Sequence, residues 1–340
     1  KEQLLAAVDH VLLPLARHTN YLFPLIFDKH GLRKVWNGDN YSVGGLFAWF
    51  MLALDRTTGD AHYLDEARAA LRTLANVPVN SLLQEAFLTS CGVQAAHRMF
   101  VLTGEQEWAD LYDYLLAQTL RTVYWYSDRT SPEARAVNIL GMVHACTPII
   151  YSALFENIDT LARLAPTFKT FAPHPGVLRL FDHARRNNFY CYPACLPDEW
   201  HSSPLKYIPH ENIPLLEGPN STPVGQEIYG AGFTFRAYLL WEALAHCADR
   251  DVMVLNLESY EETERLASET GGWRFLIFNP EATARRVEIV FPLAQGRAAT
   301  VLTGSAFPLA GDETPLENGR LAVALAAGEA RCLQLTLGPR

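Results

Sequence analysis

The chain has little charge: only 19% of its 340 residues are Asp, Glu, Lys or Arg, and 28 basic residues stand against 37 acidic ones for a formal net charge of −9. That balance speaks against a general nucleic-acid binder, because phosphate recognition needs a basic face from which counterions are released. Long apolar runs are missing too. The longest, Val43 to Leu54, is too short to span a bilayer, so no transmembrane segment is expected. The six cysteines are spread through the chain at Cys91, Cys146, Cys191, Cys195, Cys247 and Cys332. They form no dense framework, which favours free buried thiols and a reducing, cytoplasmic compartment over structural disulfides. The sequence has no Gly-rich phosphate loop, no Gly-x-Ser-x-Gly elbow and no zinc-protease helix. It opens on Lys1 without a charged-then-apolar leader. It therefore reads either as processed or as one segment of a longer polypeptide, whose other segments would be partners.

What is present is apolar and aromatic. Hydrophobic residues make up 49%, with 17 Phe, 14 Tyr and 7 Trp, enough for a sizeable core. Apolar residues recur at helical spacing from Val43 to Thr57. Asp60 then caps a stripe of Tyr63, Ala67, Leu71 and Leu74. Further helices are expected from Ser81 to Leu102, Glu105 to Thr122, Glu133 to Glu156 with a kink at Pro148, Val177 to Asn187, and Thr222 to Cys247. The turns Thr57-Thr58-Gly59-Asp60 and Leu102-Thr103-Gly104-Glu105 lie ~45 residues apart, a helical-hairpin repeat. After Asp251 short β-type runs take over, beginning at Val252, Trp273, Arg286, Ala299 and Arg331 and broken by Gly, Pro and Asn. The expected organisation is a helical domain over 1–250 and a small antiparallel β-sandwich over 251–340.

The unusual residues sit in the connections leading into alternate helices: Val35 to Ser42, Val77 to Ser81, Tyr124 to Pro132 and Asn187 to Pro223. If the hairpins stack side by side, these loops share one face. Trp36, Tyr41, Trp125 and Tyr126 could stack on sugar rings there, since an aromatic face packs on C–H surface. Asn37 and Asn40 flank them. Asp39, in Asn-Gly-Asp-Asn, leads into an apolar helix with no basic residue beside it. A second concentration holds His210, Glu211, Asn212, Asn220, Glu227 and Tyr229, with Glu227 in the first turns of the last helix.

This arrangement, with Trp36-Asn-Gly-Asp-Asn-Tyr41 and Glu227-Ile-Tyr-Gly-Ala-Gly232, resembles the (α/α) toroid of carbohydrate-active enzymes, in which helical hairpins ring a cleft and a β domain often follows. The clear hairpins fall short of a full six-fold ring. The resemblance implies a poly- or oligosaccharide substrate, no cofactor, and either hydrolysis or β-elimination. Hydrolysis needs two carboxylates about 5–5.5 Å or ~6.5–9.5 Å apart, which Asp39 with Glu211 or Glu227 would supply. A lyase would use His210, Tyr229 or Tyr207 as base, with Asn212, Asn220 or Arg129 on the uronate carboxylate. The net charge disfavours polyanions, although Arg179, Arg185, Arg186 and Lys206 could make a local basic patch. His183, Cys191, Cys195 and His201 are spaced too loosely for a zinc ribbon, so no metal is expected. A non-catalytic glycan- or protein-binding module, or a cyclase with a closed apolar cavity, would use the same framework.

Overall fold

The structure, a computed structural model, describes residues 1–24, 28, 43–78, 84–125, 140–143, 151–186, 212–214, 239–259, 262 and 272–338. Its helices are α1 (Glu2–Ala7), α2 (Leu13–His18), α3 (Val43–Thr58), α4 (Ala61–Ala75), α5 (Ala86–Thr103), α6 (Gln106–Leu120), α7 (Leu154–Leu164) and α8 (Pro175–Ala184). The strands are β1 (Tyr151–Ala153), β2 (Asn212–Pro214), β3 (His246–Cys247), β4 (Met253–Asn256), β5 (Gly272–Phe278), β6 (Arg285–Val290), β7 (Ala299–Gly304), β8 (Thr314–Pro315), β9 (Arg320–Leu325) and β10 (Ala330–Leu337). The chain thus has a helical part and an antiparallel sheet region. It divides into two compact units, Lys1–Val123 with Val143–Ser152, and Tyr124–Met142 with Ala153–Arg340.

In the first unit two hairpins dominate. Asp60 caps α4 by accepting from the His62 amide at 3.2 Å. Gly59 and Gly104 close the preceding helices with φ of +74° and +69° and nothing within 4 Å of an added Cβ, the left-handed stop that glycine adopts without steric cost. Burial separates the helices into two kinds. No residue of α3 before Arg56, and none of α5 before Val101, is exposed, whereas α4 and α6 each bury one stripe and expose the opposite face. The inner helices α3 and α5 can therefore touch closely. A Cβ on Gly45 would stand 2.8 Å from the Gly92 Cα and 3.1 Å from the Leu88 carbonyl oxygen.

The second unit carries a sheet ordered β4-β5-β10-β7-β8 and another ordered β3-β6-β9, and the inward side chains of both share one core. β10 lies at the centre of the larger sheet, aligning Leu333 with Phe275 and Leu335 with Trp273. In β9 strict alternation turns Leu321, Val323 and Leu325 inward. Two ionic clusters fasten helical segments to strand ends within this unit. Glu258, whose side chain is fully buried, accepts from the Arg274 amide at 2.9 Å, from its guanidinium at 2.8 and 2.9 Å, and from Lys169 Nζ at 3.2 Å. Ser259 and Glu262 form a capping box: the Glu262 amide donates to the Ser259 hydroxyl and the Ser259 amide to the Glu262 carboxylate. On α8, Asp182 takes Arg185 at 2.6 Å and Arg186 at 2.8 Å, while the same arginines reach the Arg250 and Asp251 carbonyls.

The structure corrects several expectations. The helix expected up to Glu156 gives way to strand β1 and a new helix, α7. The helix expected to reach Cys247 ends at Trp241. His246 and Cys247 instead pair with Val290 and Ile289 of β6. Helix α5 starts at Ala86 rather than Ser81, because Glu85 is extended and serves as its N-cap. The segments Glu2–Ala7, Leu13–His18 and β9 were not expected.

Glu258→Gln removes the buried carboxylate between Lys169 and Arg274 while Glu262 still pairs with both, and should cost on the order of 1.5–3 kcal/mol by chemical denaturation. Burial alone would raise the Glu262 carboxyl, but the Lys169 ammonium, the Ser259 amide and Arg274 hold it down to about 2. A folded-state value below the unfolded one stabilises above about pH 4.5 and is lost as pH falls towards 2. The stability gap between wild type and Glu262→Gln should therefore be full at neutral pH and close progressively over that acid range.

Candidate functional site

Inner helices α3 and α5 run in the same direction, each followed by a tight turn and an outer helix. Their N-termini open at one end of the first unit, next to the C-termini of α4 and α6. The contact between Gly45 in the first turn of α3 and Leu88 and Gly92 of α5 fixes the two openings side by side. The loops entering these helices are the ones that carry the unusual residues in the sequence.

The chain on either side of 25–42 is held at one place. Phe23 is buried, and its ring lies 5.6 Å from that of Phe47 on α3, with the Tyr21 ring at 5.7 Å. The Tyr21 carbonyl oxygen would stand 2.7 Å from a Cβ on Gly44, so glycine is required for the chain to pass over the first turn of α3. Tyr21 is fixed from its other end as well. Its hydroxyl donates to Glu66 Oε2 at 2.9 Å, while Glu66 Oε1 takes Arg17 Nε and Nη2 at 2.9 and 2.6 Å. Burial and then the Glu66 carboxylate push the Tyr21 phenol up, and Glu66 raises Arg17. Tyr21 is therefore a neutral donor at any physiological pH.

The second opening is braced by amides. Gln84 Nε2 donates to Gln118 Oε1 at 2.7 Å, Arg121 donates to the same oxygen at 2.9 Å, and the Tyr114 hydroxyl donates to the Val77 carbonyl at 2.9 Å. Beneath them a cavity of about 10 Å³ has room for roughly one water and no substrate. Beside them an open groove of about 420 Å³ runs between Asn20, Leu22 and the last turn of α4, within the ~300–1,000 Å³ of small-molecule sites.

Of the residues singled out by sequence, Trp36, Asn37, Asp39, Asn40, Tyr41, Tyr126, Arg129, Tyr207, His210, Glu211, Asn220, Glu227 and Tyr229 lie outside the described residues, as do Cys191, Cys195, His201 and Lys206. Asn212 opens β2. Trp125 is 55% exposed, as an aromatic platform must be, next to Tyr124, whose amide donates to the Met142 carbonyl. Two arginines of the expected basic patch are held in ion pairs, while Arg179 is exposed. Arg185 is buried on Asp182, Arg186 spans Asp182 and Asp251, and Arg179 donates to the Pro280 carbonyl and lies over the Phe278 ring. His183 is half-buried and its imidazole is shifted down by that burial. No group of three or more metal-ligating side chains occurs among the described residues. Burial raises the Cys247 thiol, and that of Cys332 to about 11, so neither is a ready nucleophile. No described helix is long and apolar enough to cross a membrane. The groove escaped the sequence reading because its walls, Asn20 and Thr73, lie about fifty positions apart.

No protein-family model matches the chain, and no curated protein matches it. Among solved structures it is similar to an inactive variant of the GH76A α-1,6-mannanase of Salegentibacter sp. HEL1_6 in complex with α-1,6-mannotriose. That match has 16% identity and a TM-score of 0.38, covering 60% of this chain and 54% of that one. It is also similar to a GH127 β-L-arabinofuranosidase from Geobacillus stearothermophilus T6, at 10% identity and a TM-score of 0.35, covering 86% and 53%. A GH30 endoxylanase from Clostridium papyrosolvens C71 matches at 13% identity and a TM-score of 0.19, covering 27% and 21%. These structural neighbours are glycoside hydrolases by description. The chain spans about half the length of the first two and about a fifth of the third.

Gly45→Val should lower stability by about 1–3 kcal/mol, the usual cost of forcing a side chain into a closed contact. Gly59→Ala meets no neighbour and should cost only the left-handed backbone term, about 1 kcal/mol. Parallel urea melts of the two variants measure the difference.

Proposed function

We propose that the chain is a carbohydrate-active enzyme that hydrolyses glycosidic bonds of a poly- or oligosaccharide. It acts at the loop-bearing end of an (α/α) helical-hairpin toroid short of a full ring, with a β-sandwich over 251–340. Asp39 with Glu211 or Glu227 forms the carboxylate pair. One protonates the leaving oxygen and the other attacks the anomeric carbon or activates water. Trp36, Tyr41, Trp125 and Tyr126 stack on sugar rings, and Asn37, Asn40, Asn212 and Asn220 bind hydroxyls.

The observation that carries this reading is the clamped footing of the segment that holds Asp39. Tyr21, Phe23 and Gly44 pin both of its sides to the first turn of α3, next to the opening of α5. A catalytic carboxylate on a loop needs such fixed ends to keep its position relative to substrate. The charge distribution favours hydrolysis over β-elimination. The chain has a net charge of −9, and Arg185 and Arg186 are paired with Asp182, which leaves a polyuronate little cationic attraction from them.

The test is a screen of neutral and uronate polysaccharides, read both as reducing ends and as the ultraviolet absorbance of an unsaturated product. Reducing ends without that absorbance are expected. An unsaturated product would mean elimination, and binding without cleavage would mean a glycan-binding module. Asp39→Asn should lower kcat by about 10²–10⁴-fold, the range of a lost general acid or base, with the circular dichroism spectrum unchanged. A fully active variant would remove Asp39 from the mechanism.

A further inference from the structure

The turn after α2 is built against its own backbone preference. Asn20 and Tyr21 follow one another with φ of +52° and +59°, a left-handed conformation that non-glycine residues seldom adopt and a bulky one least of all. Such geometry persists only where its surroundings over-determine it, and it collects where a chain must present a group. Here the holding is explicit. The Tyr21 hydroxyl is on the buried Glu66, Glu66 is on Arg17, and the Tyr21 amide donates to the Ala16 carbonyl at 2.7 Å. What the turn presents is Asn20, which with Leu22 walls the groove of about 420 Å³.

The opposite wall is the last turn of α4. Arg72 contributes no unpaired charge there, since its guanidinium is on Glu107 at 2.7 Å and over the Trp108 ring at 5.6 Å. Asn76 spends one N–H on the Arg72 carbonyl at 2.7 Å and keeps its amide oxygen as an acceptor. Thr73 adds a hydroxyl, and Pro78 and Leu22 supply saturated carbon. A rim of two amides and a hydroxyl around an aliphatic floor, with its one cation neutralised, matches a ligand that alternates hydroxyl edges with C–H faces and carries no charge.

We propose that this groove, between the turn after α2 and the last turn of α4, is a binding subsite for a neutral sugar unit. The assignment rests on the carbohydrate reading above and deepens it. The ligand's hydroxyls are met by Asn20, Thr73 and Asn76, and its ring face lies on Pro78 and Leu22. The Glu66–Tyr21 contact holds Asn20 in place and does not itself touch the sugar.

The experiment is titration of ¹⁵N-labelled full chain with xylotetraose, mannotriose and maltotriose, with trigalacturonate as the anionic control. Saturable shifts of the Asn20, Leu22, Thr73 and Asn76 amides with at least one neutral oligosaccharide are expected. Asn20→Gly keeps the left-handed backbone and removes only the amide side chain. It and Thr73→Val should each weaken that binding by about fivefold, the loss of roughly one hydrogen bond. Tyr21→Phe should weaken it through the lost pin, with exchange broadening at Asn20 that the other two variants do not show. Groove amides that stay put with all three neutral probes, undiminished affinity in both Asn20→Gly and Thr73→Val, or a stronger response to trigalacturonate would overturn the proposal. Bond cleavage, assayed separately, keeps the two readings apart. Sugar bound in the groove of a protein that cleaves nothing upholds the subsite and defeats the hydrolase, whereas cleavage with silent groove amides does the reverse.

Discussion

Gly45 and Gly92 bring two helices into backbone contact, and most of the first unit follows from that closeness. Side chains of ordinary size would push α3 and α5 apart, and the openings at their N-termini would separate with them. Because the pair is tight, the outer helices α4 and α6 can each bury a single stripe against it. The connection before α5 is braced by Gln84 and Gln118, and Tyr21 lies across the first turn of α3 at Gly44. Small residues at one packing contact thus decide where the connections into α3 and α5 begin.

The second unit is organised by charge as much as by its apolar core. Glu258 is fully buried, and Arg274 and Lys169 make it a junction between a strand end and a helical turn. Asp182, Arg185 and Arg186 tie α8 to the chain at 250–251. Buried ion pairs of this kind add modest net stability compared with apolar packing, but they penalise wrong pairings severely. Their use here has a functional corollary, because the arginines they hold in place are unavailable to an anionic substrate.

Local chemistry in the sequence was legible where the physics is local. The Asp60 cap, the Gly59 and Gly104 stops and the stripe from Tyr63 to Leu74 depend on residues within one or two turns of each other. Strand β9 escaped because Ala322 and Ala324 alternate with Leu321, Val323 and Leu325, so its polar face is made of alanine and the period-two pattern is blunted. Helix α7 was hidden by the apolar run before it, which reads as a continuing helix until β1 interrupts it. The partners of the patch arginines could not be read for a different reason. Asp251 lies 65 residues from Arg186, and the Pro280 carbonyl 101 from Arg179. The aromatic and acidic loops could be named from sequence as candidates, and Trp125 is exposed as a platform requires. The groove beside Asn20 needed coordinates, since left-handed backbone at a non-glycine residue leaves no trace in composition.

The central claim is that a glycan is handled at the loop-bearing end of the helical hairpins, and hydrogen–deuterium exchange with and without a neutral oligosaccharide tests it most directly. Protection is expected in peptides covering 20–24, 43–47 and 84–88 and in the loop segments they flank, with 48–58 and the far turns at Gly59 and Gly104 unchanged. Protection confined to those far turns or to the strands of the second unit, or none with any neutral glycan, would contradict it.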